Sequence, residues 1–206
     1  MGADLNDLIR LNKRQVRAAS EVLARAFSDD PVLVRSVAEP GRRQELLRFV
    51  FRMTLSQAVG RGEVYVISPA MEGIAIWLPS GVPQVNLWEA LFGGGLKLIF
   101  TSSWGFLSKM KKDDAFVKRL RQRLAPTPHW YLAVLGVAPE FQGRGYASRL
   151  LRPMLAWLDA EKLPAYLETS TEGYVPMYRH FGFMVVREVV LPGSGAKIWA
   201  MLRKND

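Results

Sequence analysis

The spacing of hydrophobic positions changes several times along this chain, and each change marks an element. Val16, Ala19, Leu23, Ala26 and Phe27 fall on one helical face, and after Pro40–Gly41 a second set follows, Leu46, Leu47, Val50, Met53 and Leu55. Asp7 to Leu11 reads as a short first strand. Residues 63–67 and 73–78 are β-rich runs, and the polar stretch 68–72 between them predicts a hairpin. Tyr131 to Val137 is almost uninterrupted apolar sequence, the pattern of a strand buried on both faces. Ala147, Leu150, Leu151, Met154, Leu155 and Leu158 then return to helical spacing. A further strand ending at Glu168, a short helix and two strands complete the chain. Residues 82–125 form a helical insert, aromatic first and basic later, with Phe116, Leu120 and Leu124 as its buried stripe. Pro153 contradicts its helix: it removes a backbone donor and crowds the carbonyl of Arg149, which predicts a kink costing on the order of 3 kcal/mol. Strands and helices alternating in this way predict an α/β sheet packed between helices. With no internal repeat and no long linker, residues 1–206 read as a single domain.

Composition narrows the classes. A chain of 206 residues, 49% hydrophobic and 23% charged, is ordinary globular protein. It holds no cysteine, which excludes disulfides, thiolate metal sites and a cysteine nucleophile, and fits a reducing compartment. Met1 to Arg17 carries both charge signs and no secretory pattern. The longest apolar stretch, Leu91 to Phe106, includes three consecutive glycines and Lys97 and falls short of a bilayer span. The expectation is a cytoplasmic protein without a membrane span. The formal charge of +9 serves solubility, or attracts an anionic ligand, or nucleic acid. The basic run from Lys109 to Arg123 reads mostly as the solvated face of a helix, and no recognised nucleic-acid module accompanies it, so nucleic acid is disfavoured. His129 and His180 share no metal-ligand spacing with any partner; both read as structural, and no metal is expected.

The candidate chemistry lies between the apolar strand and the following helix. Gly143 and Gly145 remove side chains where a helix start presents unpaired N–H groups and partial positive charge, a seat for phosphate. A P-loop would end in Gly-Lys-Ser or Gly-Lys-Thr, which is absent. A dinucleotide fingerprint lacks its third glycine, since Ser148 stands there, and four residues, Ala138 to Phe141, make the turn too loose. What fits is Gln142-x-x-Gly145-x-Ala147, preceded by Val137-x-Pro139.

At these residues the chain resembles the GNAT superfamily of N-acetyltransferases. The likeness continues in order through Trp130-Tyr131-Leu132, Gly136-Val137, Leu167 to Ser170, Pro176-x-Tyr178 and Phe181-Gly182-Phe183. With Ala26-Phe27 and Asp30-Pro31 it is similar to the puromycin N-acetyltransferase-like branch. The resemblance implies a GNAT-like mixed, mostly antiparallel central sheet with a splayed strand pair, flanked by helices. It also implies an acetyl-CoA-dependent enzyme that moves an acetyl group to a primary amine of a small molecule by direct attack in a ternary complex. The alternative is a non-catalytic acetyl-CoA-binding protein, or a basic-surface partner-binding protein, on the same scaffold. A homodimer is compatible with either.

Carried residue by residue, the resemblance puts the cofactor on Leu135, Gly136 and Val137 and on Gln142, Gly143, Arg144, Gly145, Tyr146, Ala147 and Ser148. Gly136 adds its own signal, because glycine inside a buried strand marks a bulge or a close approach, or else relieves packing. Tyr178 is placed as the general acid, its phenol protonated at neutral pH, against the alternative of a core aromatic beside Phe181 and Phe183. Glu168 is the candidate base, or equally a structural acceptor. Asp30 attracts a cationic amine or caps a helix at Pro31. Phe27 and Trp77 are candidate substrate contacts. Trp88, Phe92, Phe100, Trp104 and Phe106 line an acceptor pocket or lid, or belong to the core. Where the family commonly has an asparagine on the cofactor arm, this chain has Glu172 to Val175, with Tyr174 at that place.

Overall fold

The computed structural model describes residue 5 and residues 8–37, 39–82 and 104–204, the first four of the last segment by backbone alone. Seven strands form one sheet in the order β1-β2-β3-β4-β5-β7-β6. They are β1 (Ile9–Arg10), β2 (Glu63–Val66), β3 (Gly73–Pro79), β4 (Trp130–Val137), β5 (Ala165–Thr169), β6 (Met184–Val190) and β7 (Lys197–Arg203). Every neighbouring pair is antiparallel except β4 with β5. The first strand is shorter than the sequence pattern suggests, and the expected hairpin between β2 and β3 is present.

Two helical layers cover the sheet. On one face lie α1 (Val16–Ala26), α3 (Pro40–Arg61) and α4 (Trp104–Leu124). The other face carries α5 (Tyr146–Ala160) and α6 (Val175–His180). Alternation along the strands divides the core accordingly. Val64, Val66, Ile74 and Ile76 meet Leu23, Leu47 and Leu55 on the first face. Tyr65, Ala75, Trp77 and Leu132 meet Leu150, Leu151 and Met154 on the second.

Local chemistry starts the helices. Asn12 and Gln15 form a capping box on the 3-10 turn that runs into α1. Asp30 accepts from the amides of Val32 and Leu33 and, with Pro31 following, opens the short helix α2 (Pro31–Ser36). Glu39 does the same for α3. Pro153, at which the sequence predicts a kink, lies buried inside α5, which continues past it to Ala160. Most charges of α4 lie on an exposed face, as expected, but Asp113 and Arg121 are buried. Asp113 accepts from the amides of Gly193 (2.6 Å) and Ser194 (2.9 Å), tying the β6–β7 turn to the helix.

β4 also departs from its expected burial on both faces, since only Leu132 and Gly136 are buried. The cause is its pairing. β4 pairs with β5 only at Trp130↔Ala165 and Tyr131↔Tyr166. Against β3, Leu132 faces Trp77 and Val134 faces Ile76, so Ala133 is an extra residue. A bulge of this kind bends its strand and increases the local twist. Two residues beyond the last β4–β5 pair, it carries β4 along with β3 and away from β5.

Candidate active site

The parted strands create a cleft whose walls are the free edges of Leu132–Val137 and Leu167–Thr169. Gly136, expected to mark a bulge or a close backbone approach or else to relieve packing, relieves packing; the bulge is at Ala133. A Cβ on Gly136 would lie 2.5 Å from Leu23 Cδ2 and 3.0 Å from Phe27 Cε2, so the glycine lets α1 pack directly on the strand. Leu135 and Val137 face the opposite side, towards α5. The carbonyl of Val137 accepts from Gln142 Nε2 at 3.1 Å, so this glutamine braces the loop against the strand end.

The loop itself is built as a cradle. Gly143 (φ +74°) and Gly145 (φ +80°) occupy the left-handed region, which other residues adopt only at a cost. Among the described residues none lies within 4 Å of a Cβ built on either one. No side chain caps the start of α5, whose first-turn amides point out with the positive end of the helix dipole. Rings and guanidinium groups brace the surroundings. Phe141 and Tyr146 meet edge to face at 5.5 Å, Arg144 lies 5.8 Å from the Phe141 ring centre, and Arg149 lies 5.6 Å from that of Tyr146. Ser148 Oγ accepts from Arg152 Nε at 3.1 Å, and Ala147 is half-buried beside it. These residues fit a diphosphate: several amides and local positive charge, with the loop's own Glu140 paired to Arg25.

Glu168 and Tyr178 sit on opposite sheet faces. Glu168 lies two residues past the last β5 residue paired with β4 and points under α4, its side chain 8% exposed. Arg121 Nη1 lies 3.9 Å from its Oε1, and among the described residues no hydrogen bond of normal geometry ends on either carboxylate oxygen. Burial pushes its pKa up; Arg121 and the hydroxyls of Tyr131 and Tyr166 push it back by favouring the charge. Tyr178, on α6, is 7% exposed and meets Phe183 edge to face at 6.0 Å. Burial raises its pKa as well, so the phenol is protonated at neutral pH.

Two expected substrate residues brace the cleft. Phe27 stacks at 5.1 Å on Phe51 and covers Gly136 of β4. Asp30, besides capping α2, accepts from Ser170 Oγ at 2.5 Å, just past β5. The loop between α1 and α2 therefore touches both parted strands. Trp77 does not meet the expectation. It is 0% exposed within the core under α5, so it offers an acceptor no surface. Trp88, Phe92 and Phe100, and the side chains of Trp104 and Phe106, lie outside the described residues. Tyr174 is 47% exposed. His129 is buried with Nδ1 2.6 Å from the Pro126 carbonyl, and His180 is exposed against Phe181. Among the described residues no acidic or histidine group has the arrangement of a metal site.

Arg121, Tyr131 and Tyr166 were not singled out by pattern. Their signal lay in register: Tyr166 and Glu168, two apart on a strand, share a face, and Arg121 falls next to the stripe of Val117, Leu120 and Leu124.

With this geometry in hand, similarity to known proteins can be placed on it. Residues 105–183 match the acetyltransferase (GNAT) family, a span that takes in β4, the loop, α5, β5 and α6. An uncharacterized N-acetyltransferase of Schizosaccharomyces pombe is 29% identical over 202 residues, covering 92% of this chain and 78% of that protein. Among solved structures, a histone acetyltransferase HPA2 and related acetyltransferase from Corynebacterium glutamicum superposes with a TM-score of 0.68 at 20% identity, covering 100% of this chain and 98% of the other. Arylalkylamine N-acetyltransferase 2 of Aedes aegypti gives 0.57 at 15% identity, covering 97% and 98%. At such identities the two structures share the fold with this chain.

Proposed function

We propose that this chain, which belongs to the GNAT superfamily of N-acetyltransferases, transfers the acetyl group of acetyl-CoA to a primary amine of a small molecule by direct attack in a ternary complex. The observation that carries the reading is the parting of β4 from β5 directly before the uncapped start of α5. An extended arm fits between the strands while its diphosphate rests on the amides around Gly143 and Gly145.

Acetyl-CoA supplies an activated thioester; this chain's residues bind it, orient it and move protons. The main-chain groups of Leu135 and Gly136 that point away from β3 take the arm. As the amine nitrogen bonds to the acetyl carbon and the carbon–sulfur bond breaks, one proton leaves the nitrogen and one reaches the departing sulfur. Glu168 accepts the first, directly or through water, and Tyr178 donates the second. Their placement on opposite sheet faces suits a cleft open to acceptor on one side and cofactor on the other. The small-molecule acceptor is supported by the arylalkylamine enzyme among the similar folds and by the residues resembling the puromycin branch.

Thiol release from acetyl-CoA against a panel of small amines, aminonucleosides and peptides tests this reading. A small amine turning over in preference to peptides is the expected outcome, and cofactor binding with no acceptor consumed would favour a binding protein. Tyr178→Phe should lower turnover with little change in acetyl-CoA affinity; unchanged turnover with chemistry limiting removes its role as acid.

A further inference from the structure

The buried polar group beneath α4 goes beyond what these roles require. Arg121 and Glu168 have side chains 9% and 8% exposed, and their charges face each other at 3.9 Å, beyond hydrogen-bond reach. The guanidinium carbon stands 4.1 Å from the ring centre of Tyr131, so stacking fixes the cation's position. A carboxylate in apolar surroundings takes up a proton unless a charge nearby opposes it. A bidentate clamp from the arginine would supply that charge but consume the oxygens. Here the charge is near and, among the described residues, both oxygens are left without a normal hydrogen bond.

We propose that Arg121, on the insert helix α4, is a positioning residue for acetyl transfer, holding a stacked cation beside Glu168 at the head of the parted strands without clamping its carboxylate oxygens. This rests on Glu168 being the base. The groups facing Glu168 are Arg121 from α4, Tyr131 from β4 and Tyr166 from β5; the β7 residue opposite, Ala200, is apolar. On α4, Asp114 feels the charges of Lys118 and Arg121, and His129 packs edge to face on Tyr166.

Removing the cation withdraws support from the ionised form, so the Glu168 pKa rises. Turnover at low pH falls, and the ascending limb of kcat/KM moves to higher pH. With the amine that turns over best in the panel, Arg121→Met should shift that limb upward by about one unit or more, roughly a tenfold loss on its acid side, with rates converging at high pH. Arg121→Lys should keep the limb near its original place, and acetyl-CoA affinity should hold in both. Loss of rate by one factor at every pH would overturn the inference.

Infrared titration of the protein without substrate gives a readout independent of catalysis. The protonated-carboxyl band lost in Glu168→Gln should persist to higher pH in Arg121→Met than in the wild type, and an unmoved band overturns the inference. If Glu168→Gln instead keeps the full limb, the base assignment fails, while the band shift still reports whether the arginine sets the charge. Should Arg121→Met not fold, Arg121→Met/Glu168→Gln should recover folding because both buried charges are gone. Equal failure of the double variant would assign Arg121 to packing alone.

Discussion

Gly136→Ala puts the packing of the cleft to a quantitative test. The added methyl would stand 2.5 Å from Leu23 Cδ2, 3.0 Å from Phe27 Cε2 and 3.5 Å from Ala26 Cβ. Carbon atoms in good contact are separated by about 3.5–4.0 Å, so the first distance is short by about 1 Å and the second by about half that. Leu23 is fully buried and Phe27 is held against Phe51, so α1 itself must shift. Overpacking of this kind costs about 1–3 kcal/mol. Reduced freedom of the unfolded chain returns about 0.4–1 kcal/mol, which leaves a net loss of about 1–2 kcal/mol. For a chain of this size that corresponds to a fall in Tm of about 2–8 °C. Urea unfolding should show a lower midpoint at an unchanged slope. Leu23→Ala alone should cost about 2–5 kcal/mol as a cavity. In the double variant the two defects relieve each other, and the loss should fall short of the sum by about 1 kcal/mol. Stability equal to wild type for Gly136→Ala, or additivity within about 0.5 kcal/mol, would refute the argument.

Gly145→Ala isolates backbone conformation, because φ is +80° and no atom stands near the new methyl. Holding alanine there costs about 1–2 kcal/mol, and relaxation turns the first amides of α5; calorimetry should record at least about tenfold weaker acetyl-CoA binding, and undiminished affinity would remove the loop from the cofactor site. Asp113→Ala orphans the amides of Gly193 and Ser194 and should cost about 2–4 kcal/mol in denaturant titration, with Asp113→Asn losing less because one acceptor remains. His129 has its pKa lowered, by burial first, against the opposing bond from the Pro126 carbonyl. Its stability contribution is present above the unfolded value of about 6.5 and is lost as pH falls through the lower folded value. Tm between pH 7 and pH 5 should therefore drop less steeply in His129→Gln than in wild type, and parallel slopes would show that this ring does not titrate differently on folding.

The parts of the site that were legible in sequence are those whose residue types have few other uses. Glycines after an apolar strand, at 143 and 145, announced a helix start stripped of side chains, and the structure places both directly before α5, with positive φ. Asp30 before Pro31 announced a helix cap, and it is one. The bulge was hidden because Ala133 lies in a run where every residue is apolar; inserting one shifts the face of each following side chain without changing the pattern. Trp77 looked available because an aromatic residue on a strand has no sign for which face it takes, and here it takes the face under α5. Arg121 was lost in a basic run where helical phase alone separates a solvated charge from a buried one.

The bulge and the loop between α1 and α2 complete one another. Parallel strands that part leave unpaired backbone on both edges, which is costly when buried and aggregation-prone when exposed. The chain meets this by anchoring one short loop on both edges. Phe27 rests over Gly136 on the β4 side, and Asp30 binds Ser170 beyond the β5 end. Neither anchor is a hydrogen bond to the strand edges themselves; of the described edge groups the Val137 carbonyl is taken by Gln142. Under the proposed function, the two residues that sequence suggested as substrate contacts act one step earlier, by bracing the cleft in which transfer is proposed.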